Sequence, residues 1–257
     1  MGSQTKTGAQ TVVRKIYRRL HRNLGPQHWW PAETQFEVIA GAILTQNTSW
    51  TNVERALAKL REANVLNIEG IRALPLEELE QLIRSSGYFR QKADRLKRFV
   101  GFLDERYGGS LARMFAAPTA LLRSELLALK GVGPETADSI LLYGGGHQIF
   151  VVDAYTRRIF ERHALVDNRT SYDELRELVE TALRPETSPT PMAHRASRSS
   201  EIVIHEPSPM SRSQRSPLSQ TYNEMHGLLV QIGKHYCLKQ EPRCEACPLH
   251  SLLPKPL

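Results

Sequence analysis

The sequence predicts an all-α protein, and three observations carry this prediction. Most of the 257 residues fall into stretches whose apolar side chains recur every three or four positions, which is the spacing of one helical face. Residues that start helices precede these stretches, and glycines follow several of them. The apolar share of 40% is large enough for a core. One short apolar run, QIFVVD at residues 148–153, has the character of a strand instead.

The helical stretches follow one another along the chain. Residues 1–10 are polar and predict a disordered start, and a basic amphipathic helix is predicted at 11–24. The next helix, within residues 31–46, has Thr34 as its N-cap. The other helices are predicted at 49–63, 75–87, 89–109, 117–129, 134–144, 154–165, 171–183 and 221–237.

Residues 186–220 break this pattern. They are rich in Ser, Pro and Arg and almost lack large apolar side chains, so they add little to a core. We therefore expect a flexible insertion in an otherwise helical unit.

The composition indicates which classes of partner to expect. The formal net charge is +7, and a basic protein favours an anionic partner, most commonly nucleic acid. No apolar run approaches the roughly 20 residues that span a bilayer, and the polar start lacks the apolar centre of a signal peptide. We therefore expect a cytoplasmic protein without a membrane partner.

The stretch LKGVGPETADSILLYG has the pattern of a helix-hairpin-helix. Its two glycines would permit a tight reversal, and Pro134 suits the first turn of the second helix, where its missing N–H costs nothing. The free N–H groups of such a turn can bind a DNA phosphate. An ordinary connection punctuated by glycine would have the same pattern. The candidate phosphate-binding residues are Lys130, Gly131, Val132, Gly133 and Thr136.

All three cysteines lie within eleven residues near the end of the sequence. Cys237, Cys244 and Cys247 are spaced C-x6-C-x2-C, which suits a metal site better than a disulfide framework. Zinc is one candidate, although the paired spacing usual for zinc is missing.

The hairpin, the apolar run and the aspartate that follows them resemble the signature of the endonuclease III superfamily of DNA base-excision glycosylases. Four further segments extend the resemblance over most of the chain. FEVIAGAILTQNTSWTNVERAL resembles the family's segment that fills the gap left by a flipped base, and GYFRQKADRLKRF resembles the helix after it. VVDAYTRRIFERHAL resembles the catalytic-aspartate segment, and GKHYCLKQEPRCEACPL resembles the iron–sulfur loop.

The resemblance implies that Asp153 is the catalytic aspartate. Cleavage of an N-glycosidic bond builds positive charge on the deoxyribose ring, and a nearby carboxylate stabilises that charge and orients or activates water. Asp153 also precedes a predicted helix, where a carboxylate serves as an N-cap. The two roles are compatible, because a cap position also aims the carboxylate.

One position departs from the bifunctional members of the family. Those members carry a lysine two residues after the second glycine of the hairpin, and its amine forms a Schiff base with the sugar. Glu135 stands at that position in this chain, where an acid also suits the first turn of a helix. The resemblance therefore implies an enzyme without AP-lyase activity, unless another amine acts, with Lys234 as the candidate.

Three tryptophans indicate which damaged base the enzyme would remove. The segments QHWWPAE and TQNTSW resemble those of the 3-methyladenine DNA glycosylase III type, and alkylated, positively charged purines stack well on electron-rich rings. The resemblance implies Trp30 and Trp50 as the base pocket and Gln46 and Asn47 as residues beside the extruded nucleotide. Packing in the core is the alternative role for Trp30 and Trp50, and it is the expected role for Trp29.

The cysteine loop resembles the family's [4Fe–4S] loop up to its third ligand. The fourth cysteine would fall at position 253, which is Leu253 here, and His250 is the nearest alternative ligand. Three outcomes are open: a cluster with three cysteines and another ligand, a labile cluster, or a loop without metal. A cluster is the favoured outcome.

The resemblance also implies an architecture and a function. We expect a six-helix barrel carrying the hairpin at residues 31–153 and a second helical domain made of 11–30 with 154–257. The expected function is that of a monomeric, nucleoid-associated glycosylase that flips and hydrolyses alkylated purines in double-stranded DNA. The rivals are an endonuclease III-like glycosylase and AP lyase for oxidised pyrimidines, and a helix-hairpin-helix DNA-binding protein without chemistry.

Overall fold

The computed structural model describes residues 6–184 and 206–254 of the chain. These residues form helices and no β-strand, which confirms the predicted all-α fold. The α-helices are α1 Lys6–Leu24, α2 Gln35–Leu44, α3 Trp50–Glu62, α4 Ile68–Ala73, α5 Leu76–Leu82, α6 Phe89–Tyr107, α7 Leu111–Phe115, α8 Thr119–Ala128, α9 Pro134–Ser139, α10 Ala154–Arg162, α11 Tyr172–Leu183 and α12 Pro217–His235. Two 3₁₀ turns lie at Arg84–Ser86 and His250–Leu252, and a π-helical turn lies at Ile140–Gly144. None of the helices just named is long and apolar enough to cross a bilayer.

The described residues form two compact units. The first unit contains those of Met1–Pro31 and Gln148–Leu257, and the second contains Ala32–His147. The predicted division into a domain of residues 31–153 and a domain of 11–30 with 154–257 stays a prediction. The predicted closure of six helices into a barrel stays a prediction.

The apolar run 148–153 is an irregular segment of the first unit and not a strand. The Phe150 N–H donates to Glu180 Oε1 at 2.9 Å, and the Val152 N–H donates to the Tyr172 hydroxyl at 3.3 Å. Both acceptors belong to α11, and they replace the neighbouring strand that a ladder would provide. The run is apolar because its side chains are buried, and its bonds to α11 explain why it belongs to the first unit.

In the first unit α12 is the central helix, since α1, α10 and α11 all pack on it. The approach of α10 is close enough to require glycine. A Cβ added at Gly233 would lie 2.2 Å from Cδ1 of Tyr155, so any side chain at position 233 would force the two helices apart.

Local capping signals set several helix starts. Thr34 is the N-cap of α2, as predicted, and its hydroxyl accepts from the Glu37 N–H at 3.1 Å. Ser171 and Glu174 form a capping box at the start of α11. The prediction omitted α4 and α7, which have six and five residues and are too short to show a helical period.

The flexibility predicted for residues 1–10 and 186–220 was partly wrong. Helix α1 begins at Lys6, so residues 6–10 are helical. Residues 206–220, taken as part of a flexible insertion, contain the buried Met210, whose carbonyl accepts from Arg215 Nη2 at 2.8 Å. Their Ser and Pro start a helix: Ser216 is the N-cap of α12 and Pro217 is in its first turn. The rest of these two predictions, residues 1–5 and 186–205, lies outside the described residues.

A lysine lies in the core of the second unit. Lys92 on α6 has no exposed area, and its Nζ donates to the carbonyls of Leu44 at 2.8 Å and Ser86 at 2.6 Å. Both carbonyls are at helix ends, where the backbone supplies no partner. Burial, together with the charge of Arg95, lowers the pKa of Lys92 to about 8. Lys92 therefore joins α2, the first 3₁₀ turn and α6 through one ammonium group.

We expect Lys92→Met to lower the free energy of unfolding by about 1–3 kcal/mol, because two buried acceptors lose their donor. Lys59→Met is the matched control, since Lys59 is exposed on α3, and it should change stability by less than about 0.5 kcal/mol. Urea denaturation of both variants measures the difference. Equal stabilities would show that the ammonium group does not support these helix ends.

Candidate active site

Asp153 ends the irregular run and is the N-cap of α10. Its Oδ1 accepts from Thr156 N at 2.7 Å and from Thr156 Oγ1 at 2.9 Å. Its Oδ2 lies 3.5 Å from Nε2 of His226 on α12, and the side chain keeps 12% of its area exposed. The predicted cap is confirmed, and the carboxylate is fixed in direction from two sides.

The surroundings of Asp153 favour its ionised form. Burial by itself would raise the pKa of this carboxyl. The hydrogen bond and charge of His226 and the two bonds from Thr156 oppose burial and hold the pKa of Asp153 below its ordinary value. Asp153 is therefore a mostly buried carboxylate that stays charged at neutral pH.

His226 is a site residue that the sequence reasoning missed. It is 4% exposed, and its ring centroid lies 5.8 Å from that of Trp29 and 6.3 Å from that of Phe150. A signal for it existed, because a histidine inside the apolar run MHGLLV needs a buried partner. Asp153 is that partner.

The segment before the tryptophan pair is tied to α12. The Gln27 N–H donates to Glu224 Oε2 at 2.7 Å, and Asn223 Nδ2 donates to the Trp29 carbonyl. A Cβ added at Gly227 would lie 3.1 Å from Cβ of Trp29, so glycine lets the segment lie close to the helix. The Trp29 ring is thereby held beside His226.

The two tryptophans predicted as the base pocket belong to different units. Trp30, in the first unit, is buried and meets the buried Trp29 edge to face, with ring centroids 5.7 Å apart. Trp50, in the second unit, is half-buried at the start of α3, and its Nε1 donates to Glu54 Oε1 at 2.9 Å. Of the two predicted pocket residues, Trp50 has the more open ring.

The hairpin of the second unit has a tight turn between α8 and α9. The Val132 N–H closes this turn on the Leu129 carbonyl at 3.0 Å, and Gly131 has a φ of 89°, which favours glycine. Gly133 differs from the prediction, because its φ of −95° suits any residue and a Cβ there would meet no atom within 4 Å. Glycine at position 133 therefore serves neither the turn nor the packing, and the space beside it is open.

Gln46 and Arg95 brace the hairpin. Gln46 Nε2 donates to the Gly131 carbonyl at 3.1 Å and to Thr136 Oγ1 at 2.8 Å. Arg95, on α6, donates to Gln46 Oε1, and its Nε would lie 2.2 Å from a Cβ at Gly131. Thr136 is buried. The side chains of Gln46 and Thr136 are thus bonded to each other, and Arg95 is a cation beside the turn that the sequence reasoning did not identify.

Four other predicted site residues are exposed. Lys130 follows α8, and Asn47 has a φ of 54° in the loop after α2. Glu135 lies in the first turn of α9, where an acid suits the helix dipole. Lys234 lies in the last turn of α12. The candidate amine and Asp153 are therefore both in the first unit, whereas Glu135 is in the second.

The cysteine loop forms the wall of an open cavity in the first unit. Arg162 Nη1 donates to Cys237 Sγ at 3.1 Å, and the Leu249 N–H donates to Cys247 Sγ at 3.4 Å. Burial raises the pKa of the Cys247 thiol, and the neighbouring thiols of Cys237 and Cys244 add to this effect, while the Leu249 bond opposes it. The lining includes Cys237, Cys244, Cys247, His250 and Leu253.

The wall of this cavity carries the donor types that iron–sulfur clusters use, three thiols together with an imidazole. In the part of the chain that the structure describes, no three His, Cys, Asp or Glu side chains converge on one point where a metal ion could bind. The N–H donors on two of the sulfurs are of the kind that tune such clusters.

Comparison with known proteins agrees with this geometry. Residues 40–185 match the family described as "HhH-GPD superfamily base excision DNA repair protein". A protein of Methanocaldococcus jannaschii named "Putative DNA repair glycosylase MJ1434" is 38% identical, over 93% of this chain and 94% of its own. Endonuclease III of Thermotoga maritima is 30% identical, over 93% of this chain and 88% of its own.

Solved structures share the fold. The H. pylori 3-methyladenine DNA glycosylase (MagIII) bound to 1,N6-ethenoadenine matches with a TM-score of 0.67 and 27% identity, covering 88% of this chain and 97% of that one. A trapped endonuclease III–DNA covalent intermediate matches with a TM-score of 0.68, covering 97% and 96%, and at 22% identity this likeness concerns the fold alone. The family match and the two relatives place the chain in the HhH-GPD superfamily of base-excision DNA repair proteins, as a DNA glycosylase of the endonuclease III type of fold.

Proposed function

We propose that the protein is a monofunctional glycosylase that hydrolyses the N-glycosidic bond of alkylated purines in double-stranded DNA. The observation that carries the proposal is the mostly buried, ionised carboxylate of Asp153, held by Thr156 and His226. A charge that water screens poorly acts strongly on a developing cation. A helix N-cap alone would not need the second partner on α12.

Asp153 acts at two moments of the proposed reaction. As the bond between the sugar and the base breaks, its electron pair leaves with the base and the carboxylate stabilises the positive charge on the deoxyribose. Water then attacks the sugar, and the carboxylate accepts its proton. A purine that carries positive charge, such as 3-methyladenine, departs as a neutral base and needs no acid, whereas a neutral lesion such as 1,N6-ethenoadenine takes up a proton from water as it leaves.

The choice of alkylated purines rests on the tryptophans and on one relative. Trp50, whose ring is the more open, is the proposed face for an electron-poor base, and Trp30 is the second candidate. The solved structure with 27% identity is that of a 3-methyladenine DNA glycosylase with 1,N6-ethenoadenine bound. A pocket for a modified adenine is therefore compatible with this fold at this level of similarity.

The hairpin is the proposed phosphate site. The space beside Gly133 at the start of α9 is open, and a helix start is where phosphates bind. Lys130 is exposed beside the turn, and Arg95 adds a second cation. Gln46 supports this site through its bonds to the hairpin, and Asn47 is the proposed residue beside the extruded nucleotide.

The absence of lyase activity rests on Glu135, because a carboxylate cannot form an imine. Two lysines are possible substitutes in principle. Lys92 has the lowered pKa of a nucleophile, but it has no exposed area and both its contacts are backbone carbonyls. Lys234 is exposed on α12 and is the alternative amine.

A second candidate is an endonuclease III-like glycosylase and AP lyase for oxidised pyrimidines. The observation that favours it is the 30% identity to endonuclease III of Thermotoga maritima over most of both chains. This function needs an amine in place of the one that Glu135 removes, so a test for an imine separates the two candidates.

We further propose that Cys237, Cys244 and Cys247 hold a [4Fe–4S] cluster. When bound, it supplies a redox-active centre and a cross-link between the loop and the end of α12. Hydrolysis at Asp153 makes no use of that chemistry, so the cluster is assigned to the stability of the loop.

We expect Asp153→Asn to slow excision of 1,N6-ethenoadenine from a duplex by about 10²–10³-fold while DNA affinity changes little, because the charge facing the sugar is lost. Single-turnover rates and a binding titration measure both quantities. Asp173→Asn is the control, since Asp173 is exposed on α11 and should leave the rate unchanged. A near-normal rate for Asp153→Asn rules out the catalytic assignment.

We expect His226→Leu to move the acid limb of the pH profile of kcat/KM to higher pH. Excision needs the carboxylate, so its rate falls as pH drops through the pKa of Asp153. Removing His226 removes the largest influence that lowers this pKa and leaves burial, which raises it. His235→Leu, an exposed position on the same helix, should keep the limb in place. If the acid limb stays in place in both variants, His226 does not lower the pKa of Asp153.

We expect borohydride not to trap the wild-type protein on DNA that contains a lesion, since Glu135 offers no amine. Glu135→Lys should gain a trapped species on denaturing gels, and Glu135→Gln should remain untrapped. Trapping of the wild type would contradict the monofunctional reading and favour the second candidate, with Lys234→Ala as the next variant to examine.

A further inference from the structure

The cysteine loop repeats a turn that places four side chains on one face. Cys247 N–H bonds to the Cys244 carbonyl at 3.1 Å, His250 N–H to Cys247 at 2.9 Å, and Leu253 N–H to His250 at 3.1 Å. All four of these side chains line the same cavity.

After Cys244 and Cys247, only one position on this face carries an atom that can bind a metal. Leu253, which stands where the fourth cysteine was expected, borders the cavity with a hydrocarbon side chain. His250, one turn earlier, borders it with an imidazole. The series of ligands along the face can therefore continue from Cys244 and Cys247 to His250 without a change in the backbone.

A hydrogen bond determines which nitrogen of His250 is free to bind metal. Nδ1 of His250 lies 3.1 Å from the Cys244 carbonyl oxygen. A carbonyl oxygen only accepts, so Nδ1 carries the proton and the lone pair of the neutral ring is on Nε2. Metal-binding histidines are commonly oriented in this way, with the other ring nitrogen bonded to a backbone carbonyl.

We infer that His250, through Nε2, is the fourth protein ligand of a [4Fe–4S] cluster whose other ligands are Cys237, Cys244 and Cys247. The inference rests on the proposed cluster. A neutral imidazole in place of a thiolate leaves the cluster less negative, so its reduction potential is higher than that of a four-cysteine cluster in the same loop.

A second histidine borders the cavity and must be separated from His250. His163, after α10, is buried, and its Nδ1 lies 3.1 Å from the Leu252 carbonyl. It therefore supports the loop through the Leu252 backbone, and it is outside the series of turns that carries two of the cysteines. His163→Gln keeps a hydrogen-bonding group there and removes the imidazole.

The test uses the full chain purified without air, with iron and zinc counted and the cluster reduced by dithionite. Pulsed electron paramagnetic resonance then detects directly bound ¹⁴N. We expect about four irons per chain, a strong ¹⁴N coupling in the wild type and in His163→Gln, and its loss in His250→Ala. The double variant His250→Ala with Leu253→Cys should keep the iron, lose the coupling and show a lower potential than the wild type, which guards against a variant that merely misfolds.

Four irons without a strong ¹⁴N coupling in the wild type, or a coupling that survives in His250→Ala, would overturn the ligand assignment and leave the cluster in place. Zinc instead of iron, or a protein without metal, would overturn both the assignment and the cluster. Base release tests the glycosylase proposal separately, so a failure of that proposal is distinguishable from either result.

Discussion

The charge of Asp153 is the constraint on which the first unit depends. A carboxylate taken out of water reverts to its neutral form unless donors hold it charged. Thr156 supplies two of these donors from the first turn of α10, and His226 supplies the third from α12. The same few contacts therefore determine the start of α10, the path of α12 and the protonation state of the carboxyl group. They also leave a negative charge of the kind that a glycosylase turns towards a sugar cation.

Helix α12 connects this carboxylate with the other features of its unit. Asn223 and Glu224 bind the backbone of the tryptophan segment, one turn before His226 meets Asp153. Burial raises the pKa of Glu224, against the effect of its bond to Gln27. Keeping this carboxyl group buried on the helix therefore costs free energy. Past the end of the helix, Cys237 begins the cysteine loop. A change in the position of α12 would reach the tryptophans, the carboxylate and the loop together.

Local chemistry made much of this predictable from the sequence. Thr34 and Asp153 are caps because their short polar side chains reach the next backbone N–H groups, and Gly131 was recognisable from the tight turn around it. Contacts between distant positions were not predictable in this way. His226 and Lys92 lie in helical patterns that tell only that they are buried, and their partners come from other elements. Composition misled at residues 206–220, where Ser and Pro start α12.

The most direct test of the proposed chemistry is base release from a panel of duplexes, each with one modified base, analysed with and without alkali. The panel holds 3-methyladenine, 1,N6-ethenoadenine, thymine glycol and an undamaged control. We expect release of the two alkylated purines, with strand breaks that appear only after alkali, because Asp153 directs water to the sugar and no imine forms. Strand cleavage at thymine glycol without alkali, together with intact alkylated purines, would contradict this chemistry.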